Sequence, residues 1–221
     1  MLLDLIKDIF STRNIARSAE QHSTLPFCVL NVGGGTKAKP IPKHYDGWRH
    51  DLLDIDPRGF PDVVCDARNL ISLQGNQYDA IYCSHNLEHY YRHDALHVLH
   101  GFVHVLNASG FAEIRVPDIA AVIVELGNRQ LELDDILYQS TAGPISAHDV
   151  IYGLQSEIVS SGQDFYAHKT GFTPKSLFEI LISSGFKYVY LVNDEPLAVH
   201  AFAFKMEPTA AQRASLGKGW E

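Results

Sequence analysis

The sequence predicts an α/β fold: a doubly wound, mostly parallel seven-stranded sheet with an antiparallel last strand and a helical insertion after the fifth strand. Three observations predict it. Short apolar runs bounded by turn residues alternate with stretches of helical periodicity, which is the pattern of βα units. The first of those runs ends in three consecutive glycines, Gly33-Gly34-Gly35. The last two runs lie close together, joined only by the turn-rich Asn193-Asp194-Glu195-Pro196, which suits an antiparallel pair.

Each element follows from its own residues. Leu2, Leu5, Ile6, Ile9 and Phe10 stand at helical spacing, so a helix is expected within residues 1–25. Its apolar face would pack on the domain or on a second subunit, giving a homodimer. Residues 27–32 form the first strand and run into the glycines, where a ligand can approach the backbone with no Cβ in the way. A loop of this kind usually opens a helix whose terminus meets an anion. Here Pro40 and Pro42 lack the amides that terminus would offer, so residues 37–48 are expected as an extended loop or a short, late helix. Lys37 and Lys39 would then stand in for the helix terminus as partners of a carboxylate.

The second strand covers residues 51–55, the third 62–65 and the fourth 79–83, ending respectively near Asp54, at Asp66 and at Ser84-His85. A helix over 93–106 presents Leu96, Leu99, Val103 and Leu106 on one face. The turn 107–110 leads to a fifth strand, 111–116, closed by Pro117-Asp118. Residues 119–170 are too long for a simple connection and read as a lid or substrate-binding insertion, with helices over 119–126 and near 133–138. Thr173 and Pro174 supply an N-cap and a first helical residue for a helix reaching Gly185. Strands follow at 187–192 and 198–204, and the polar tail from Glu207 is expected to fray. Residues 1–221 thus read as one domain.

In a parallel doubly wound sheet, ligands bind outside the carboxyl ends of the strands. Gly33 to Gly35, Asp54, Asp66, Ser84-His85 and Asp118 all fall at such ends. A glycine-rich loop after the first strand, followed about 20 residues later by an acid ending the second, is a nucleoside-binding arrangement in which the acid accepts from ribose hydroxyls. The formal charge of −8 argues against a binder of bulk nucleic acid, which needs cations to displace counterions. Cys28, Cys65 and Cys83 sit singly in apolar runs, with no CxxC pair, and read as buried free thiols of a reducing cytoplasm. Twelve histidines show no HxH or HExxH spacing, so no metal site is expected. No apolar run reaches membrane-spanning length, and Met1 to Phe10 carry two acids and no basic leader, so a cytoplasmic protein without a signal peptide is expected.

The motifs, in this order, resemble those of the class I S-adenosylmethionine-dependent methyltransferases, particularly the small-molecule group called methyltransferase type 11. The resemblance rests on Val29-Leu30-Asn31-Val32-Gly33-Gly34-Gly35-Thr36, Leu53-Asp54-Ile55-Asp56-Pro57 and Asp66-Ala67-Arg68-Asn69-Leu70. It continues through Tyr78-Asp79-Ala80-Ile81-Tyr82-Cys83-Ser84-His85-Asn86-Leu87-Glu88-His89, the Pro117-Asp118 strand end, and the stretch from Thr170 to Phe186. It implies a Rossmann-like fold, S-adenosylmethionine (SAM) as cofactor and a small-molecule acceptor, a hydroxyl of a sugar or metabolite being favoured. Asn31, Gly33, Gly34 and Gly35 would then face the methionine part of the cofactor, Asp54 the ribose with Asp56 as fallback, and Asp66 with Ala67 the adenine. Ser84 and His85 would border the transferable methyl group. Two positions depart from the family pattern: Asn31 stands where an acid is usual and Lys37 where a glycine is usual. Loss of that charge implies weaker cofactor binding or a rearranged loop.

A hydroxyl acceptor needs a base, and histidine suits neutral pH. His85, His89 and His168 are the candidate catalytic residues, with His148 behind them; a structural or surface histidine is the plain alternative for each. Two rival readings exist. Gly33-x-Gly35-x-x-Ala38 with Asp54 fits an NAD(P)-binding oxidoreductase, although Pro40 and Pro42 disturb the helix that would carry the pyrophosphate. Asn31 and Lys37 keep open a non-catalytic scaffold that retains the fold.

Overall fold

The computed structural model describes residues 27–140 and 143–217. The helix expected within residues 1–25 lies outside the described residues. Among the described residues the chain forms nine strands and six α-helices.

β1 (Cys28–Val32) is buried at every position, as a central parallel strand covered on both faces must be. β2 (Arg49–Asp54), β3 (Val63–Val64), β4 (Tyr78–Ser84) and β5 (Leu106–Pro117) complete the parallel part. α1 (Arg92–Val105) and α2 (Ile119–Arg129) flank β5 in sequence. β6 (Ile136–Ser140) and β7 (Gly143–Ser146) pair antiparallel outside the main sheet, and α3 (Ala147–Tyr152) and α4 (Gln155–Ser161) follow. α5 (Pro174–Ser183), β8 (Tyr188–Val192), β9 (Ala198–Phe204) and α6 (Ala210–Leu216) close the chain.

The main sheet has seven strands in the order β3-β2-β1-β4-β5-β9-β8. β1 to β5 pair in parallel, and β9 runs antiparallel to both of its neighbours. The expected antiparallel pair is therefore present, but the last strand is threaded between β5 and β8 and does not lie at the edge. Chain order reverses between β1 and β4, which places a crevice beyond the carboxyl ends of those two strands.

One apolar core fills the face covered by α1 and α5, where Leu30, Ile81, Leu99, Phe102, Leu177 and Leu181 are fully buried. The opposite face is closed differently. Tyr45 and Trp48 pack on Val29, Phe111, Phe202 and Phe204, filling the place of a helix after β1. The proline-bearing segment forms only a short 3-10 turn, Lys43–Tyr45, as Pro40 and Pro42 led one to expect.

Three local expectations need correction. Residues near 133–138 were expected to be helical, but Ile136–Ser140 is a strand, so the insertion combines a β-hairpin with short helices. Its side chains alternate, with Leu137 buried between the exposed Ile136 and Tyr138, and that period of two outweighs local helix propensity. The turn expected at 107–110 is absorbed into β5 as an irregularity, with Tyr78 paired to Leu106 and Ala80 to Phe111. The tail does not simply fray: Thr209 and Gln212 form a reciprocal capping box for α6, and the Gln212 side chain donates to the Ser109 carbonyl at 3.0 Å. The three cysteines are free, with Cys28 and Cys83 buried.

Candidate active site

The carboxyl end of β1 turns on Gly33 and Gly35, whose φ angles of +72° and +73° lie in the left-handed region that glycine tolerates. A Cβ on Gly33 would stand 2.0 Å from Asn86 Nδ2, so the loop and the segment after β4 are in contact only because no side chain intervenes. Asp54, ending β2, organises the loop. Its Oδ2 accepts from the Gly35 N–H at 2.8 Å and its Oδ1 from the Asp56 N–H at 2.9 Å. Each carboxylate oxygen keeps further acceptor capacity toward the open side. Gly59 seals the back of the loop, since a Cβ there would lie 1.6 Å from the Gly35 carbonyl oxygen.

A cavity of about 500 Å³ opens in front of this loop and is lined by Gly33, Gly35, Asp54, Asp66, His85 and Asn86, among others. That volume lies within the range of small-molecule and cofactor sites. Lys39 lines it too, whereas Lys37 is turned away into an ion pair with Asp62 at 2.6 Å. Asp66 caps the turn Ala67–Ser72 and is gripped by the Arg68 side chain, whose Nε donates to Oδ1 at 3.1 Å and Oδ2 at 3.0 Å. Asn31, Gly34, Ala67 and Ser84 are not among the residues lining the cavity. Asn31 is buried beneath Gly34, where a Cβ on Gly34 would lie 2.2 Å from its Nδ2. The Asn86 Oδ1 is buried without a hydrogen-bond partner.

The segment after β4 carries the densest chemistry. His85 adopts φ +51°, uncommon for a residue with a Cβ, and this turns its imidazole to within 3.5 Å of Glu88. Glu88 is 1% exposed, and neither of its carboxylate oxygens has a hydrogen-bond partner. Burial alone would raise its pKa, but the imidazoles of His85, His89 and His168 outweigh burial and hold it below the ordinary carboxyl value. Burial likewise works against a charged His85, yet Glu88 outweighs it and raises that histidine. His168 is lowered, chiefly by burial, with Glu88 acting the other way. The His89 and His168 rings meet edge-on with centroids 4.8 Å apart.

The insertion supplies His168 and folds back over the cavity. The Lys169 and Thr170 N–H groups donate to the Glu88 carbonyl at 2.8 and 3.2 Å. The Tyr166 hydroxyl donates to Asp56 Oδ2 at 3.0 Å, and Asp56 is also bound by the Arg58 guanidinium. That pairing with Arg58 keeps the Asp56 carboxyl far below its usual range. A second cavity, of about 730 Å³, lies on the other side of the histidines, between the β6–β7 hairpin, α3 and the segment before β9. His85, Leu154 and His168 line both cavities, and Glu88 lines the second.

Of the residues singled out by sequence, Gly33, Gly35, Asp54, Asp66, His85, His89 and His168 therefore come together at one cavity, His168 from a distant segment. Asp56 is taken up by Arg58 and Tyr166. Sequence reading missed Asn86 and Gly59 as parts of this site, whereas Phe165-Tyr166 read as either pocket lining or core, and both line the cavity. For Glu88 the sequence offers a helix-start acid as the plain alternative to a functional role; the adjacent Glu88-His89 pair is the one local signal of a polar cluster.

Comparison with known proteins agrees with the topology. No family model and no curated protein matches the chain by sequence. Among solved structures, the chain is similar to a SAM-dependent methyltransferase from Archaeoglobus fulgidus, with a TM-score of 0.52 at 16% identity over 81% of this chain and 86% of that one. It is likewise similar to the plantazolicin methyltransferase BamL in complex with a triazolic desmethylPZN analog and SAH, with a TM-score of 0.53 at 12% identity over 81% and 77% of the two chains. The chain thus has the fold of the class I SAM-dependent methyltransferases.

Proposed function

We propose that this protein is a SAM-dependent methyltransferase acting on a small-molecule acceptor held in the second cavity. The observation that carries the reading is the meeting of two cavities at His85 and His168, one floored by the glycine loop and Asp54, the other walled by the insertion. The residues fit the cofactor on three counts: a glycine cradle that a Cβ would fill, an acid ending β2 with spare acceptor capacity, and the orphaned Asn86 Oδ1. When bound, the cofactor supplies an electrophilic methyl group on a sulfonium.

The protein's own part is positioning and proton handling. Asp54 accepts from the ribose hydroxyls, and its bonds to the Gly35 and Asp56 amides hold it ready to do so. Lys39, which lines the cavity, would meet the carboxylate of the cofactor in place of the helix terminus the prolines remove. Asp66 lines the cavity and meets the adenine amino group by exchanging one of the bonds through which the Arg68 amide and guanidinium hold both of its oxygens. The insertion acts as a lid latched by Tyr166 on Asp56, which excludes water from the junction. His85 takes the proton of a hydroxyl acceptor, a sugar or metabolite hydroxyl being the favoured class, and the buried Glu88 stabilises the imidazolium that forms.

Calorimetric titration of the full chain with SAM, S-adenosylhomocysteine and NAD(H) tests the reading. Binding of the first two, weakened at least about tenfold by Asp54→Ala, is expected. Binding of NAD(H) alone would overturn it in favour of an oxidoreductase, and binding of none would leave the non-catalytic scaffold. Within a working assay, His85→Ala is expected to abolish turnover while cofactor affinity is retained.

A further inference from the structure

We propose that Glu88, His89 and His168 form a divalent metal site of the imidazole–carboxylate type, placed where the two cavities meet. Each of the three residues offers one ligand atom, and those atoms lie within 4.8 Å of one another. Ligands about 2.1 Å from a tetrahedral ion stand about 3.4 Å apart, so loading requires a contraction of at most about 1.4 Å between ligand atoms.

Three further features point to a cation. Glu88 is a buried carboxylate whose two oxygens lack any hydrogen-bond partner, with His85 Nδ1 at 3.5 Å and His168 Nε2 at 3.9 Å as neighbours. A buried carboxylate left in that condition is costly, and a bound cation would satisfy it. Both histidines are also oriented as ligands. His168 Nδ1 donates to the Val150 carbonyl at 2.8 Å and His89 Nδ1 to the Ala167 carbonyl at 3.2 Å, which leaves each Nε2 with its lone pair. Backbone carbonyls fix the tautomer of metal-bound histidines in this way. Finally, the site is not closed. Three protein ligands leave coordination positions free, and His168 lines both cavities while Glu88 lines the second, so those positions open toward the acceptor side.

Two imidazoles and one carboxylate suit a borderline ion such as Zn²⁺, Co²⁺, Ni²⁺ or Fe²⁺ and not Mg²⁺ or Ca²⁺, which take oxygen sets. If the methyl-transfer reading holds, an ion here would bind an acceptor oxygen and lower its pKa, so the acceptor would carry a hydroxyl or carboxylate. The site itself does not depend on that reading.

The test is titration of chelator-stripped, full-length protein with Zn²⁺ and with Co²⁺, followed by calorimetry and by the visible spectrum of the Co²⁺ form. One ion per chain is expected, bound at least about tenfold more weakly in Glu88→Gln and in His168→Ala, with Mg²⁺ failing to compete. The surface variant His93→Ala/His97→Ala, beside Asp94, is expected to leave the titration unchanged. X-ray absorption of the Zn²⁺-loaded wild type needs no variant to fold, and a shell of two imidazoles with oxygen is expected. Absence of binding to the wild type, or binding unaltered in both Glu88→Gln and His168→Ala, would overturn the site. Neither titration contains cofactor or acceptor, so failure here is distinguishable from failure of the methyl-transfer reading.

Discussion

Gly33 is the residue where conformation and contact coincide. Its φ of +72° costs a residue with a Cβ about 1–2 kcal/mol, and the added atom would stand 2.0 Å from Asn86 Nδ2. Gly33→Ala is therefore expected to lower thermal stability by about that amount and to weaken S-adenosylhomocysteine binding at least tenfold, about 1.4 kcal/mol, as read by melting and calorimetry. Gly59→Ala is expected to weaken the same binding with no side chain of its own in the cavity, because its Cβ would displace the Gly35 carbonyl. Gly33 and Gly35 were legible as a glycine run after an apolar strand. Gly59 was not, because its need for smallness comes from a loop some 25 residues away that only folding brings against it.

At the scale of elements, the insertion is held by few bonds. The Tyr166 hydroxyl ties it to Asp56 at 3.0 Å and receives the Arg58 Nη2 at 3.2 Å. Tyr166→Phe removes both and is expected to cost the closed arrangement about 1 kcal/mol, a factor of about 5 in its opening equilibrium. Faster amide hydrogen exchange across α4 and faster release of S-adenosylhomocysteine would check it. Unchanged exchange would mean that the remaining ties, among them the Glu88 carbonyl to the Lys169 and Thr170 amides and His89 to the Ala167 carbonyl, hold the segment without Tyr166. The elements themselves were largely legible: β9 and α5 lie where apolar period, Thr173 and Pro174 put them. Residues 136–140 were misread because a five-residue strand offers little periodicity, and its partner β7 decides its state.

The whole molecule is joined across its second face by a buried ionic network. Glu113 on β5 is fully buried and accepts from His44 Nε2 at 2.8 Å and His200 Nε2 at 3.1 Å, while His200 Nδ1 reaches Asp194 at 2.9 Å. It thereby ties the 3-10 turn after the glycine loop to β5 and β9. Burial would raise the Glu113 carboxyl, but the two imidazoles outweigh it and hold the pKa at about 2, below the ordinary 4.5. A depressed folded-state pKa contributes stability that is fully present above pH 4.5 and lost as pH falls toward 2. Glu113→Ala is expected to destabilise by about 3 kcal/mol at neutral pH, since it leaves the buried His200 and the half-buried His44 without their shared carboxylate. The wild-type excess over the variant should shrink between pH 4.5 and 2 in acid-denaturation curves. A constant difference across that window would remove Glu113 from the account.

The sequence by itself determined the α/β class, the strand that precedes the glycines, the acids at strand ends and the antiparallel closing pair, because these depend on local period, turn chemistry and chain order. Tertiary structure alone decided which acids remain turned to a ligand and which are spent. Asp54 faces the cavity, whereas Asp56 is bound by its neighbour Arg58 and, from 110 positions away, by Tyr166. It also decided that His168 from the insertion meets Glu88 and His89 from the turn after β4. Such encounters depend on how distant segments pack, and no spacing along the chain encodes the distance between side chains that only the folded sheet brings together.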